Sequence, residues 1–346
     1  MEENYFKERA FNVNQKCKEV LLSLPDFCEE FIIGIEQRTS PLTRLNYLND
    51  LKIFFTFLTT EIDKFSGVEI KELTLADLDQ VKSFHIEKYL SYLTSYKQGD
   101  KILTNDERAK SRKLSSVRSL FKYFFNKDKL SANVASKVET PKLHEKPIIR
   151  LEGDEVTKIL DEAEYGDNLT KQQLAYNKLT RERDIAILTT LLGTGMRVSE
   201  LVGINKSDIN FDINGVKITR KGGNQTILYF GSEVREALLT YIDWRKDNKI
   251  DDIDAMFLTR KGERLGVRAV EKLVKKYASV STPLKKITPH KLRSTYGTNL
   301  YKQTKDIYIV ADVLGHKDVN TTKKHYTAMS EDIRKDVANA VKLRKD

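Results

Sequence analysis

The sequence predicts a mainly α (α+β) chain of two domains: an N-terminal helical bundle, then a domain in which helices surround a small antiparallel β-sheet. Three observations carry this. Apolar residues recur at helical spacing through roughly the first 135 positions. The stretch KVETPKLHEKPIIR, from Lys137 to Arg150, then breaks the helical pattern with Pro141 and Pro147. Beyond it, two short β-rich runs flank a glycine-bearing turn among further helices. With 346 residues, 40% of them hydrophobic, the chain can bury two ordinary cores. The boundaries expected are 1–137 for the bundle, 138–150 for a linker and 151–346 for the second domain with a C-terminal tail.

In the first domain, helices are expected at about 17–37, 41–60, 79–97 and 106–126. The second opens behind Ser40-Pro41, a cap followed by a first-turn proline, and repeats Leu45, Leu48, Leu51, Phe54, Phe55 and Leu58 on one face. The fourth sets Arg108, Lys110, Arg112, Lys113, Arg118 and Lys122 beside a stripe of Leu114, Val117, Leu120, Phe121 and Phe124. One face packs, and the other is suited to phosphates.

In the second domain, Leu151 to Glu164 reads as a helix with Asp154 as its N-cap, and Arg181 to Leu192 as a strongly apolar one. Gly193-Thr194-Gly195 ends that helix and the next starts in Met196-Arg197-Val198-Ser199-Glu200-Leu201, so Arg197 arrives at a turn with Glu200 one helical turn on. Val216–Thr219 and Thr226–Phe230 are strands joined by Arg220-Lys221-Gly222-Gly223-Asn224, which puts Lys221 on a hairpin tip. Helices follow near 232–246, 267–279 and 289–304. Pro289 suits the first turn of the last of these, and His290 and Arg293 leave the same face. The apolar run Ile307, Ile309, Val310, Val313, Leu314 stops at Gly315 and places His316 just past the stop. Asn320 is a candidate cap for a short polar helix carrying Lys323, Lys324 and His325 up to Tyr326, and the residues after Ser330 read as a last amphipathic helix.

Sixty Lys and Arg against fifty Asp and Glu give a net charge of +10. The excess is focused: residues 1 to 100 hold twelve basic and seventeen acidic side chains, whereas 101 to 150 hold thirteen basic and five acidic. Such a focus is the electrostatic footprint of a polyanion partner, with duplex DNA or RNA first. Cys17 and Cys28 are too few and too isolated for a disulfide framework or a zinc site, which fits a reducing cytoplasm. No apolar run approaches the roughly 18 residues that cross a bilayer, and the acidic start MEEN is unlike a signal peptide. No membrane association is expected.

Gathered around one point, Arg197, Lys221, His290, Arg293, His316 and Tyr326 would make a cationic pocket with one phenol. A phosphodiester in reaction spreads extra negative charge over its non-bridging oxygens, and two fork-shaped guanidiniums neutralise that charge with fixed geometry. The set includes no carboxylate cluster for magnesium, no G-x-x-x-x-G-K loop and no cysteine pair, so neither a metal nor another cofactor is expected. A tyrosine nucleophile would form a covalent phosphotyrosyl link and keep the bond's energy for rejoining.

These residues carry a family resemblance. TGMRVSEL, the turn RKGG, the H-x-x-R of His290 to Arg293, Leu314-Gly315-His316 and the final Tyr326 resemble the tyrosine recombinase (phage integrase) family in order and approximate spacing. The motifs are weak singly and specific together. The likeness covers residues 150 to 346 as a catalytic domain, while the N-terminal bundle resembles the family's core-binding domain more loosely. Within the family the chain is most similar to the Xer chromosome-dimer resolvases of the single-enzyme type, with integrases of phages and conjugative elements as close rivals.

The resemblance implies that Tyr326 attacks the scissile phosphate while Arg197 and Arg293 stabilise its charge. It makes Lys221 the acid for the departing 5′ oxygen, His290 a general acid or base, and His316 a hydrogen-bond donor to the phosphate. Glu200 matches a supporting acidic position. Ser294 stands where many members carry a histidine, a departure that touches a supporting contact rather than the reaction. The resemblance further implies duplex DNA with a specific recombination site as substrate and a homotetramer in the synaptic complex. It leaves room for a DNA translocase or another accessory factor, and has the C-terminal tail dock on a neighbouring protomer. Two other readings use the same residues: a type IB topoisomerase, marked by monomeric relaxation of supercoils, and a non-catalytic DNA-binding protein, marked by binding with no covalent adduct.

Overall fold

The computed structural model describes residues 5–144, 149–220, 223–250, 253–316 and 318–319, and the chain divides into two compact units, Met1–Lys146 and Pro147–Asp346. Among the described residues no helix is long and apolar enough to cross a membrane.

The first unit comprises helices α1 (Tyr5–Leu21), α2 (Phe27–Gly34), α3 (Pro41–Glu61), α4 (Leu75–Asp79) and α5 (Ser83–Tyr92), a hairpin of β1 (Ser95–Gln98) and β2 (Lys101–Thr104), and α6 (Glu107–Phe125). Helix α3 starts as its sequence dictates: the Ser40 hydroxyl accepts from the Thr43 N–H at 3.2 Å, and Pro41 occupies the first turn, where no N–H is needed. Its Leu48, Leu51, Phe54, Phe55 and Leu58 are buried. Phe54 meets Tyr89 of α5 edge-on at 5.2 Å and Phe121 of α6 at 6.4 Å, so rings from three helices close one core.

Two expectations here need correction. The helix expected over 17–37 is two helices, because Pro25 donates no N–H and disfavours helical backbone at Leu24; the chain bends there and α2 begins anew. The helix expected over 79–97 is α4 and α5 followed by the hairpin, in which Tyr96 pairs with Leu103 and Lys97 with Ile102 around a Gly99-Asp100 turn. A Gly-Asp pair between short runs holding Tyr, Ile and Thr is a hairpin signal that the helical periodicity of the preceding residues masked.

The second unit comprises α7 (Gly153–Glu164), α8 (Lys171–Asn177), α9 (Arg181–Thr194), α10 (Val198–Leu201), β3 (Ile209–Asn210), β4 (Gly215–Thr219), β5 (Gln225–Tyr229), α11 (Ser232–Asp247), α12 (Val267–Ser281), α13 (Pro289–Thr304) and α14 (Ile307–Leu314). Helix α9 is central: it packs against α7, α11 and α13 and buries Ala186, Ile187, Leu188 and Leu191. The sheet is antiparallel in the order β3-β4-β5, with Val216 opposite Leu228 and Ile218 opposite Thr226. Val216, Ile218 and Leu228 face inward while Lys217 and Ile227 face out, the two-residue alternation of a sheet with one wet face.

Helix α7 is capped by Glu152, not Asp154, which lies in the first turn and pairs with Lys158 at 3.0 Å. Helix α10 begins at Val198, with Met196 and Arg197 in the turn before it. Helix α8 and strand β3 were not foreseen. The segment after Asn320, with Tyr326, and the tail after Ser330 lie outside the described residues, as does Lys221.

Candidate active site and nucleic-acid interface

The site is built where three turns meet. Helix α9 ends at Gly195 with φ +62, in the left-handed region. A Cβ there would stand 2.3 Å from Tyr296 Cδ1 and 3.0 Å from Leu314 Cδ2, so both the conformation and the space require glycine. The chain reverses and delivers Arg197 as the N-cap of α10. Glu200, 3% exposed, takes the Arg197 N–H on Oε2 at 2.7 Å and the guanidinium Nη1 on Oε1 at 2.8 Å. One buried carboxylate thereby fixes both the backbone and the charged tip of Arg197. The guanidinium remains about a third exposed and reaches the Gly315 carbonyl through Nη2 at 3.4 Å.

Arg293 comes from the second turn of α13 and is buried. Its Nη1 donates to the Gly195 carbonyl at 2.7 Å and its Nη2 to the Leu314 carbonyl. Two arginines from different elements thus end on the adjacent carbonyls of Leu314 and Gly315. Those carbonyls belong to the C-terminus of α14, where unpaired acceptors and the helix dipole favour cations. Gly315, φ +62, stops α14; its N–H returns to Asp312 at 2.8 Å and that of His316 to Ala311 at 2.9 Å, a tight stop that sets His316 beside the arginines. His290 lies exposed in the first turn of α13, and the Ser294 hydroxyl donates back to its carbonyl at 3.0 Å.

Of the expected site residues, Arg197, Glu200, Arg293 and His316 therefore meet at one corner, and His290 stands on the helix that supplies Arg293. Arg220, which the sequence reading passed over, belongs to the same corner: its Nη2 donates to Val313 O at 3.0 Å and its Nη1 to Asp312 O at 3.4 Å. Only its place next to Lys221 could have flagged it.

The basic helix α6 sorts its charges in two. Lys113 is buried, with Nζ 3.3 Å from Asp50 Oδ1, and Asp50 also accepts from Ser116 at 3.0 Å and from Arg112. Asp50 is itself buried on α3, so Lys113 is an internal tie between helices and not a phosphate contact. Arg118, half-buried, is tied down as well, donating to Ala135 O at 3.2 Å, Thr140 Oγ1 at 2.7 Å and the Val138 carbonyl. Lys110 donates to Thr94 at 2.6 Å. Arg108 and Lys122 are exposed. A groove of ≈ 570 Å³ runs along this side of the unit, lined by Arg38, Ser115, Arg118, Ser119, Lys122 and Lys127 among others. Arg38 and Lys127 were missed because they lie outside the helical stripe.

Residues 150–332 match the model of the phage integrase family. The chain is 31% identical over 313 residues to the tyrosine recombinase XerC of Caldanaerobacter subterraneus, covering 87% of this chain and 83% of that protein. It is 32% identical over 327 residues to the tyrosine recombinase XerS of Streptococcus agalactiae, covering 85% and 88%. Among solved structures, its fold is similar to the XerH site-specific recombinase bound to palindromic difH substrate, with TM-score 0.63 at 17% identity over 86% of this chain and 79% of that one. It is also similar to a lambda integrase tetramer bound to a Holliday junction, with TM-score 0.58 at 16% identity over 86% and 75%. The matched span contains the corner where Arg197, Arg293 and His316 meet, and the chain belongs to the phage integrase family, among its Xer-type tyrosine recombinases.

Proposed function

We propose that this protein is a site-specific recombinase that cuts and rejoins duplex DNA through a covalent 3′-phosphotyrosyl intermediate, and that its role is Xer-like resolution of chromosome dimers in the cytoplasm. The observation that carries the reading is the pair of guanidiniums of Arg197 and Arg293 held on neighbouring carbonyls immediately before His316. Donors fixed in advance cost little reorganisation when charge develops on a phosphate. In this reading the Tyr326 oxygen forms a bond to phosphorus as the bond to the 5′ oxygen breaks. The electron pair leaves on that oxygen and a proton comes to it from Lys221. His290, the general acid or base, takes the proton that the Tyr326 hydroxyl loses, His316 donates to a non-bridging oxygen, and Glu200 orients Arg197. The reading has four protomers pair two DNA sites. It is supported by the tetrameric lambda integrase assembly that this fold resembles.

A nicked substrate that loses its short 5′-hydroxyl fragment on cleavage should trap the protein on the 3′ phosphate, with or without divalent ion. Tyr326→Phe should bind the same DNA and form no adduct. Adduct formation by that variant would refute the assignment, and relaxation of supercoiled DNA by a monomer without strand exchange would favour a topoisomerase instead.

The groove on the first unit is the proposed core-binding surface. Replacing Lys122 with alanine should weaken duplex binding nearly uniformly across sequences and lower the slope of log affinity against log salt by about 1. Fluorescence anisotropy over a salt series measures it, and an unchanged slope would remove Lys122 from the interface. Lys113→Ala should instead lower stability, since it leaves Asp50 buried with one partner fewer.

A further inference from the structure

Arg220 stands at the end of β4, and everything about its surroundings is a tether. Its backbone closes the hairpin: the N–H donates to Asn224 O at 2.8 Å, and the carbonyl accepts from Gly223 N at 3.0 Å. Its side chain crosses to a different part of the unit and caps α14, ending on the carbonyls of Asp312 and Val313, 92 and 93 positions along the chain. The fit is close. A Cβ on Gly315 would stand 1.4 Å from Arg220 Nη1, so the turn that presents His316 is shaped around this guanidinium. With Arg197 on Gly315 O and Arg293 on Leu314 O, three arginines hold four successive carbonyls at one helix end.

We propose that Arg220 is a positioning residue: it clamps the base of the β4–β5 turn to the α14 stop, and proton delivery by the next residue in the chain, Lys221, depends on that clamp. The proposal rests on Lys221 being the acid for the 5′ oxygen. Misplacing a reacting group by about 1 Å can cost on the order of 10² in rate, which sets the expected effect. The fork geometry matters, because a lysine ammonium has no fixed pair of parallel donors for two carbonyls.

The test compares wild type, Lys221→Ala, Arg220→Met and Arg220→Lys on two nicked duplexes, one ordinary and one with sulfur replacing the bridging 5′ oxygen, under single-turnover conditions. Sulfur leaves without protonation. Arg220→Met should slow cleavage of ordinary DNA by about 10²-fold, cut the sulfur-bridged duplex nearly as fast as wild type, and bind uncleaved DNA with unchanged affinity. Arg220→Lys, which keeps the charge, should fall between and serves if the methionine variant does not fold. An equal defect of the Arg220 variants on both duplexes, beside sulfur rescue of Lys221→Ala, would overturn the positioning role and leave Lys221 as the acid. Weakened binding of uncleaved DNA would make Arg220 a phosphate ligand and also overturn it. Lys221→Ala that sulfur fails to rescue would remove both assignments together.

Discussion

Replacing Arg293 with alanine is expected to slow strand cleavage by about 10²- to 10³-fold, the loss seen when one preorganised donor to a developing oxyanion is removed. The side chain is buried, and besides its proposed role at the phosphate it holds the Gly195 and Leu314 carbonyls. Its loss therefore has a second component. Two carbonyls lose their charged donor, each worth about 1–3 kcal/mol if left buried and unsatisfied, so the urea midpoint should fall as well. Arg293→Lys should recover much of the stability and little of the rate, because one ammonium cannot hold two separate carbonyls and a phosphate in a fixed plane. Single-turnover cleavage and equilibrium unfolding of both variants check this. Full rate recovery by lysine would show that charge alone is required at this position.

Replacing Asp184 with alanine should destabilise the second unit by about 3–5 kcal/mol, the cost of stripping the partner from buried cations. Asp184, 1% exposed on α9, accepts from Arg183 at 2.8 and 3.0 Å, from Lys276 at 3.1 Å and from the Tyr277 hydroxyl at 2.7 Å. Burial already pushes the Lys276 ammonium below the ordinary lysine range although Asp184 beside it pulls the other way. Without the carboxylate that depression deepens. A folded-state pKa below the unfolded one means that the unfolded chain binds more protons, so the variant's stability should rise with pH on approaching the unfolded lysine value. Denaturant unfolding at two alkaline pH values measures both effects. A loss below about 1 kcal/mol would place water, not protein, around these cations.

How far the sequence was legible follows from the range of each signal. Helix α3 and its cap, the stops at Gly195 and Gly315, and the pairing of β4 with β5 are written within a few residues of where they act. Their elements were readable. The break at Pro25 is just as local, yet apolar residues on both sides of it hid the bend. What could not be read is who meets whom across long separations. Lys113 looked like a phosphate contact until α3 brought Asp50 against it from 63 positions away. Arg118 lines the groove but is tied to the carbonyls of Ala135 and Val138, 17 and 20 positions on. For the site, motif residues were found by type and order, whereas Arg220 gained its meaning only from a helix end 92 positions on.

That helix end has a consequence for how the protein breathes. Helix α14 is two turns long, buries only Val310, Ala311 and Leu314, and leaves Tyr308 71% exposed. Its hold on the rest of the unit thus leans on arginine donors at its carbonyl end. Segments with few buried apolar side chains open at a free energy well below that of global unfolding. Opening α14 releases the Arg220 guanidinium and takes one carbonyl each from Arg197 and Arg293, which stay on Glu200 and Gly195, so the arginine corner can loosen while the α9 core stays intact. Amide hydrogens of α14 should therefore exchange by a sub-global route, in step with one another and ahead of those of α9. An anion bound by the assembled corner and not by the opened one slows that exchange in proportion to its occupancy.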